Sequence, residues 1–179
     1  MAAIKILDKH FEISIPAETI QKRIKELATE VNTDLAEKDV VFLVILNGAF
    51  MFASDLYKSI NLECKISFLK LASYQGTTSS GEVKQLIGLN EVIKDKTVVI
   101  VEDIVDTGHT LKSIFNQLGG FEPAEIKIAS LLFKPESFQY DYKIDYLGFS
   151  IPNDFIVGYG LDYDGYGRNL ESIYTITNQ

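Results

Sequence analysis

The stretch from Thr97 to Leu111, TVVIVEDIVDTGHTL, restricts the folds open to this chain more than any other. Val98-Val99-Ile100-Val101 is an unbroken apolar run, as a strand buried on both faces of a parallel sheet requires. The run gives way to two adjacent carboxylates, Glu102 and Asp103, then to Asp106-Thr107-Gly108-His109-Thr110 before a helical pattern begins at Leu111. In an open α/β sheet, ligands bind beyond the carboxyl ends of the strands.

The hydroxyl- and glycine-rich turn entering that helix can point several backbone N–H groups at one anion, and a phosphate fits there. Neither G-x-x-x-x-G-K-[ST] nor G-x-G-x-x-G occurs in the segment, so two familiar phosphate loops are excluded. Three carboxylates beside such a nest would repel a bare phosphate unless they face hydroxyls or a metal. A phosphorylated sugar supplies both phosphate and hydroxyls.

The 179 residues suit one domain with a sizeable core. A net charge of −8 with no basic run argues against nucleic-acid binding. A polyanionic substrate would therefore be held by backbone amides, a divalent cation and a few placed Lys or Arg. The single Cys64 excludes an intrachain disulfide and a cysteine-based zinc site. The N-terminus MAAIKILDKHFEI lacks a signal-peptide core, and the longest apolar run, Val40 to Leu46, has only seven residues. The expected setting is cytoplasmic, with no membrane partner.

Along the chain, Ile20, Ile24, Leu27, Val31 and Leu35 recur at helical spacing, predicting an amphipathic helix over 17–36. Val40 to Leu46 reads as a central parallel strand, broken by Asn47-Gly48, with a helix from Ala49 to about Ile60. Alternation at Leu62, Cys64, Ile66 and Phe68 predicts a strand over 62–71. The hydroxyl-rich segment of about residues 72–84, with Gly76 and Gly81, suits a flexible lid or binding loop, and 85–89 its returning arm. A strand over 97–103 and a helix over 110–118 follow, with Gly119-Gly120 expected as its C-cap. Ile126 to Phe133 is the next strand, ending at Lys134-Pro135. Residues 135–170 are expected to form a small hood, including a short strand at 155–160, before the alternation of Ile173 and Ile176.

VVIVEDIVDTGHTL resembles the phosphoribosyl-pyrophosphate signature of the type I phosphoribosyltransferases: four apolar residues, two acidic ones, then D-T-G-x-T. The resemblance runs over about residues 40–177. Lys134, just after the strand that follows the signature helix, and the block from Phe155 to Arg168 are similar to the hypoxanthine-guanine phosphoribosyltransferases in particular. It implies the type I phosphoribosyltransferase fold, an open, mostly parallel α/β sheet flanked by helices under a hood drawn from the two termini. It also implies Mg²⁺-dependent purine salvage: the phosphoribosyl group passes from phosphoribosyl pyrophosphate to hypoxanthine, and to guanine, giving IMP or GMP and pyrophosphate. The partners implied are the donor, the purine base and the nucleotide product, with a homodimer or homotetramer as the assembly.

The resemblance also assigns roles. Glu102 and Asp103 take the ribose hydroxyls, directly or through Mg²⁺. Asp106 lies beside the purine as general base or as electrostatic partner of its N7 proton. Residues Asp106, Thr107, Gly108, His109 and Thr110 hold the 5′-phosphate, with His109 given no catalytic part. Leu46-Asn47-Gly48 corresponds to the pyrophosphate loop, where a non-proline cis peptide is expected, and Asn47 lacks the charge that a Lys there would bring. Ser73-Tyr74 and Arg168 contact pyrophosphate, and Asp162 joins Glu102 and Asp103 at the metal. Lys134 donates to O6 of a 6-oxopurine, which adenine cannot reciprocate. Phe155 stacks on the base, with Ile156 and Asp162 beside it.

Two other readings stay open at this level. One is a transferase preferring xanthine, since the pocket for the 2-position is partly backbone. The other is a catalytically silent regulator that senses a nucleotide or binds RNA, against which Asp106, Lys134 and the acidic balance argue.

Overall fold

The computed structural model describes residues 3–72, 84–87 and 91–177. The order of elements is β1 (Ala3–Ile6), β2 (Lys9–Ile15), α1 (Ala17–Asp34), β3 (Val40–Leu46), α2 (Phe50–Lys58), β4 (Cys64–Ala72) and β5 (Lys84–Ile87). Then come β6 (Thr97–Val105), α3 (His109–Leu118), β7 (Glu125–Phe133), β8 (Tyr146–Ser150), β9 (Ile156–Val157) and β10 (Ile173–Thr177).

The main sheet has strand order β5-β4-β3-β6-β7-β8, parallel throughout except for β5, which runs back against β4. Its central strands are apolar on both faces because helices cover both. Phe42 and Val44 of β3, with Val99 and Val101 of β6, face the core under α1 and α2. The alternate residues Val41, Leu43, Val98 and Ile100 face Leu111, Ile114 and Leu118 of α3. This period of two is the strand's own geometry, and the helices answer it with stripes of apolar residues three and four apart.

The edge strand β8 is held from α1. The Arg23 guanidinium donates to the carbonyls of Leu147 (2.8 Å) and Gly148 (3.3 Å) and pairs with Glu30 and Glu26. Gly148 is required at this edge, since a Cβ there would lie 2.3 Å from the Leu131 carbonyl oxygen of β7.

A second, antiparallel sheet of order β1-β2-β10-β9 forms the hood. Its composition corrects the expected boundaries. Residues 146–150 belong to the main sheet, and residues 3–15 and 173–177 supply most of the hood. Gly119-Gly120 do not act as a left-handed C-cap either: Gly119 continues in right-handed geometry into a single 3₁₀ turn, and Glu122 takes the left-handed conformation. Of the lid expected over about 72–84, residues 73–83 lie outside the described residues, as do Ser73 and Tyr74, while Ala72 ends β4 and Lys84 begins β5. Among the described residues, no helix is long and apolar enough to cross a membrane.

Candidate active site

β6 extends two residues beyond its expected end, so Glu102 and Asp103 lie within a strand, with Glu102 opposite Ser130 of β7. That placement explains their electrostatics. Burial, with the neighbouring Asp103 charge, pushes the Glu102 carboxyl well above the usual range. Burial pushes Asp103 up to about 6, against the lowering effect of the Ile104 N–H that its Oδ1 accepts (3.0 Å) and of Arg168.

The strand end, the turn and the first residues of α3 surround a cavity of about 470 Å³. Leu46 and Gly48, Glu102 to Asp106, and Thr107 to Thr110 all line it. Gly108 makes the turn, at φ +87°, and its carbonyl accepts the Lys112 N–H (3.0 Å) in the first turn of α3. A Cβ at Gly108 would also meet the rings of Phe138 and Tyr140 at 2.6 and 2.7 Å, so glycine is required for two reasons. His109 is not a loop residue; it opens α3, and its Nδ1 lies 2.8 Å from the Tyr140 hydroxyl.

Opposite the turn, the peptide between Leu46 and Asn47 is cis. Gly48 lies directly against Asp103: a Cβ there would fall 1.7 Å from Oδ2. The same loop meets the C-terminal segment, where Gly160, at φ +100°, sits so close that its Cβ would lie 2.0 Å from the Gly48 carbonyl oxygen. Next to it, Arg168 donates to the Gly160 carbonyl (2.6 Å) and pairs with Asp162 at 2.5 Å. The other Asp162 oxygen accepts the Gly165 N–H (2.7 Å).

Lys134 is buried at the end of β7, its N–H bonded to the Val105 carbonyl, and its Nζ lies 3.2 Å from Asp106 Oδ2. Phe155 and Ile156 do not line the main cavity. Phe155 is 46% exposed, edge-on to Tyr163 at 5.8 Å and 6.3 Å from Phe11. Ile156 borders a smaller cavity of about 210 Å³ with Ile15, Ile151 and Ile173.

Two supporting contacts were not foreseen. Tyr159 is buried at positive φ between Gly158 and Gly160, and its hydroxyl donates to Asp55 of α2, which also accepts from Gln21 of α1 (2.7 Å). The aromatic strip Phe138-Tyr140-Tyr142 covers the α3 turn. The tyrosines were visible in the sequence, but partners such as Asp55 for Tyr159 and Phe115 for Tyr142 are distant along the chain.

Among the described residues, no cluster of three or more His, Cys, Asp or Glu could hold a metal alone. The chemistry of the donor set nonetheless fits a hard cation shared with substrate: Mg²⁺ is usually bound by one or two carboxylates plus substrate phosphates, and Glu102 and Asp103 line the cavity together.

The chain matches the family described as phosphoribosyl transferase domain over residues 16–164. It is 37% identical to the hypoxanthine-guanine phosphoribosyltransferase of Aquifex aeolicus over 96% of this chain and 98% of that protein. Identity to the enzyme of that name from Staphylococcus aureus is 42%, covering 92% of this chain and 93% of that one. The fold superposes, with a TM-score of 0.86 and 36% identity, on a crystal structure of a Bacillus anthracis hypoxanthine-guanine phosphoribosyltransferase with HEPES in the active site, covering 93% of this chain and 97% of that one.

Proposed function

The chain belongs to the hypoxanthine-guanine phosphoribosyltransferase family, and from that we propose how its own residues carry out the family's reaction. It is a purine-salvage enzyme: it transfers the 5-phosphoribosyl group from phosphoribosyl pyrophosphate to hypoxanthine, and to guanine, releasing pyrophosphate. The observation that carries the residue assignments is the pairing of Asp106 with Lys134 at 3.2 Å beside a cavity whose other wall is the Thr107–Thr110 turn.

In this reading the turn's N–H groups and the hydroxyls of Thr107 and Thr110 bind the 5′-phosphate at the positive end of α3. Glu102 and Asp103 hold the ribose hydroxyls. Lys134 donates to O6 of the base, and Asp106 accepts or faces the N7 proton as N9 bonds to C1 and pyrophosphate leaves. Positive charge grows on the ribose in that step, and the carboxylates of the strand end oppose it. Phe155, exposed at the hood, supplies a ring face for the purine, with Ile156 behind it and Asp162 on the same segment. The amides of the 46–48 loop and Arg168 receive pyrophosphate, and Ser73-Tyr74 are assigned there on sequence.

When bound, Mg²⁺ would neutralise pyrophosphate oxygens in a protein of net charge −8. Glu102 and Asp103 would hold it, and Asp162 would join by exchanging one of its bonds to Arg168 or Gly165. We further propose one domain, a cytoplasmic setting and a homodimer or homotetramer; the exposed Phe50 and Phe68 offer apolar surface for such assembly.

Incubating the protein with phosphoribosyl pyrophosphate and each of hypoxanthine, guanine, xanthine, adenine and uracil, read by absorbance, tests the assignment. Nucleotide should form with the first two. Exclusive use of xanthine, or no turnover with any base, would overturn it.

A further inference from the structure

Given a 5′-phosphate held by residues 107–110, as proposed above, we infer that Tyr140 is a positioning residue for the phosphoribosyl donor, acting by orienting the imidazole of His109 towards that phosphate. His109 lines the same cavity as Thr107, Gly108 and Thr110. Its Nδ1 lies 2.8 Å from the Tyr140 hydroxyl, and the rings meet edge to face at 5.6 Å.

A phenol hydroxyl both donates and accepts. It can hold Nδ1 when the ring is neutral with its proton on Nε2, and equally when both nitrogens are protonated. In both of those states Nε2 carries an N–H that an anion can accept, whereas the tautomer with its proton on Nδ1 donates to the Tyr140 oxygen and leaves Nε2 bare. An imidazole at the first position of a helix gains nothing from the positive end of the dipole; an anion bound there reverses the sign of that interaction. The contact therefore makes sense as a device for an anionic ligand.

Tyr140 is itself firmly placed. Its ring stacks on Tyr142 at 5.6 Å, and Tyr142 stacks on Phe115 of α3 at 4.6 Å. Lys112 Nζ sits 5.5 Å above the Tyr140 ring. The Gln139 N–H donates to the Thr107 carbonyl (3.2 Å), and Gly108 lies against the Phe138 and Tyr140 rings. The segment that carries the hydroxyl is thus clamped to the turn that would hold the phosphate, and it can fix where the imidazole points.

The test is steady-state kinetics on wild type, Tyr140→Phe, His109→Ala, their double variant and Thr110→Ala, with melting temperatures. Tyr140→Phe keeps the stacked ring and loses only the hydroxyl. It should raise KM for the donor about 3–10-fold, the worth of one hydrogen bond, while kcat and KM for hypoxanthine stay within about twofold. His109→Ala should raise the donor KM at least as much, and the double variant should be no worse than His109→Ala, because Tyr140 acts through His109. An unchanged donor KM in Tyr140→Phe, multiplying effects in the double variant, or equal rises in both KM values would overturn the inference. If Tyr140→Phe does not fold, an unchanged donor KM in His109→Ala overturns it alone. Thr110→Ala separates the two levels: a raised donor KM there with a silent Tyr140→Phe removes only the positioning role, whereas no effect of Thr110→Ala removes the phosphate site itself.

Discussion

Gly48 and Asp103 approach so closely that a methyl group on the glycine would lie 1.7 Å from the aspartate's Oδ2. The carboxylate proposed to hold the ribose thus occupies the space that a side chain on the neighbouring loop would take. Gly48→Ala must push Asp103 or the loop aside, and overpacking of this kind costs about 1–3 kcal/mol. We expect a lower urea midpoint and a loss of activity larger than that stability loss explains. A variant with wild-type turnover would show that this close approach is irrelevant to catalysis.

The Lys134–Asp106 pair predicts a split between binding and rate. Lys134→Ala should raise KM for hypoxanthine about 10–100-fold, the worth of a charged hydrogen bond of ~1.5–3 kcal/mol, with little change in donor KM. Asp106→Ala should lower kcat by ~10²–10⁴ with donor binding near wild type. Equal losses for base and donor in Lys134→Ala would point to a folding defect, and undiminished kcat in Asp106→Ala would remove that residue from proton transfer.

The Tyr159–Asp55 bond predicts a pH-dependent stability. Burial pushes the Asp55 carboxyl up, but Lys58, Tyr159 and Gln21 outweigh it and leave it below the ordinary value. A depressed folded pKa contributes stability that is present above the unfolded value of about 3.9 and fades as pH falls through the folded one. Tyr159→Phe should therefore cost about 1–3 kcal/mol near neutral pH and less below about pH 3. Urea unfolding of both proteins at pH 7, 5 and 3 checks this, and a difference independent of pH would contradict it.

Metal removal should silence the enzyme. With EDTA, turnover should fall to background and return on adding Mg²⁺, because Glu102 and Asp103 alone cannot accommodate a pyrophosphate. Asp162→Ala should raise the Mg²⁺ concentration needed for half-maximal rate. Full turnover in EDTA would refute the cation's part.

The contiguous parts of this site were legible because one segment, Val98 to Thr110, supplies the strand, the carboxylates and the glycine turn together. Unbroken apolar runs likewise mark β3 and β6, and a period of 3.6 marks α1, within a few residues of their observed ends. The hood was read less well. Ile4 and Ile6, then Phe11, Ile13 and Ile15, alternate as strands do, a period of two that was open to reading. Only the exit of β6 differs from expectation, because paired carboxylates look like a strand's end, whereas the ladder to β7 carries on past them. The Gly48–Gly160 approach and the Tyr159–Asp55 bond join residues about a hundred positions apart, and no local pattern encodes such a distance.

The grip of Arg23 on β8 bears on how copies of this protein can meet. A terminal strand with unengaged carbonyls invites a neighbour's strand to continue the ladder, the route to swapped and fibrous aggregates. Here the carbonyls of Leu147 and Gly148 already receive a guanidinium that α1 holds with Glu26 and Glu30. Sheet growth across that margin is opposed by a charge, and Arg23→Ala would leave the Leu147 and Gly148 carbonyls open to a neighbour's strand.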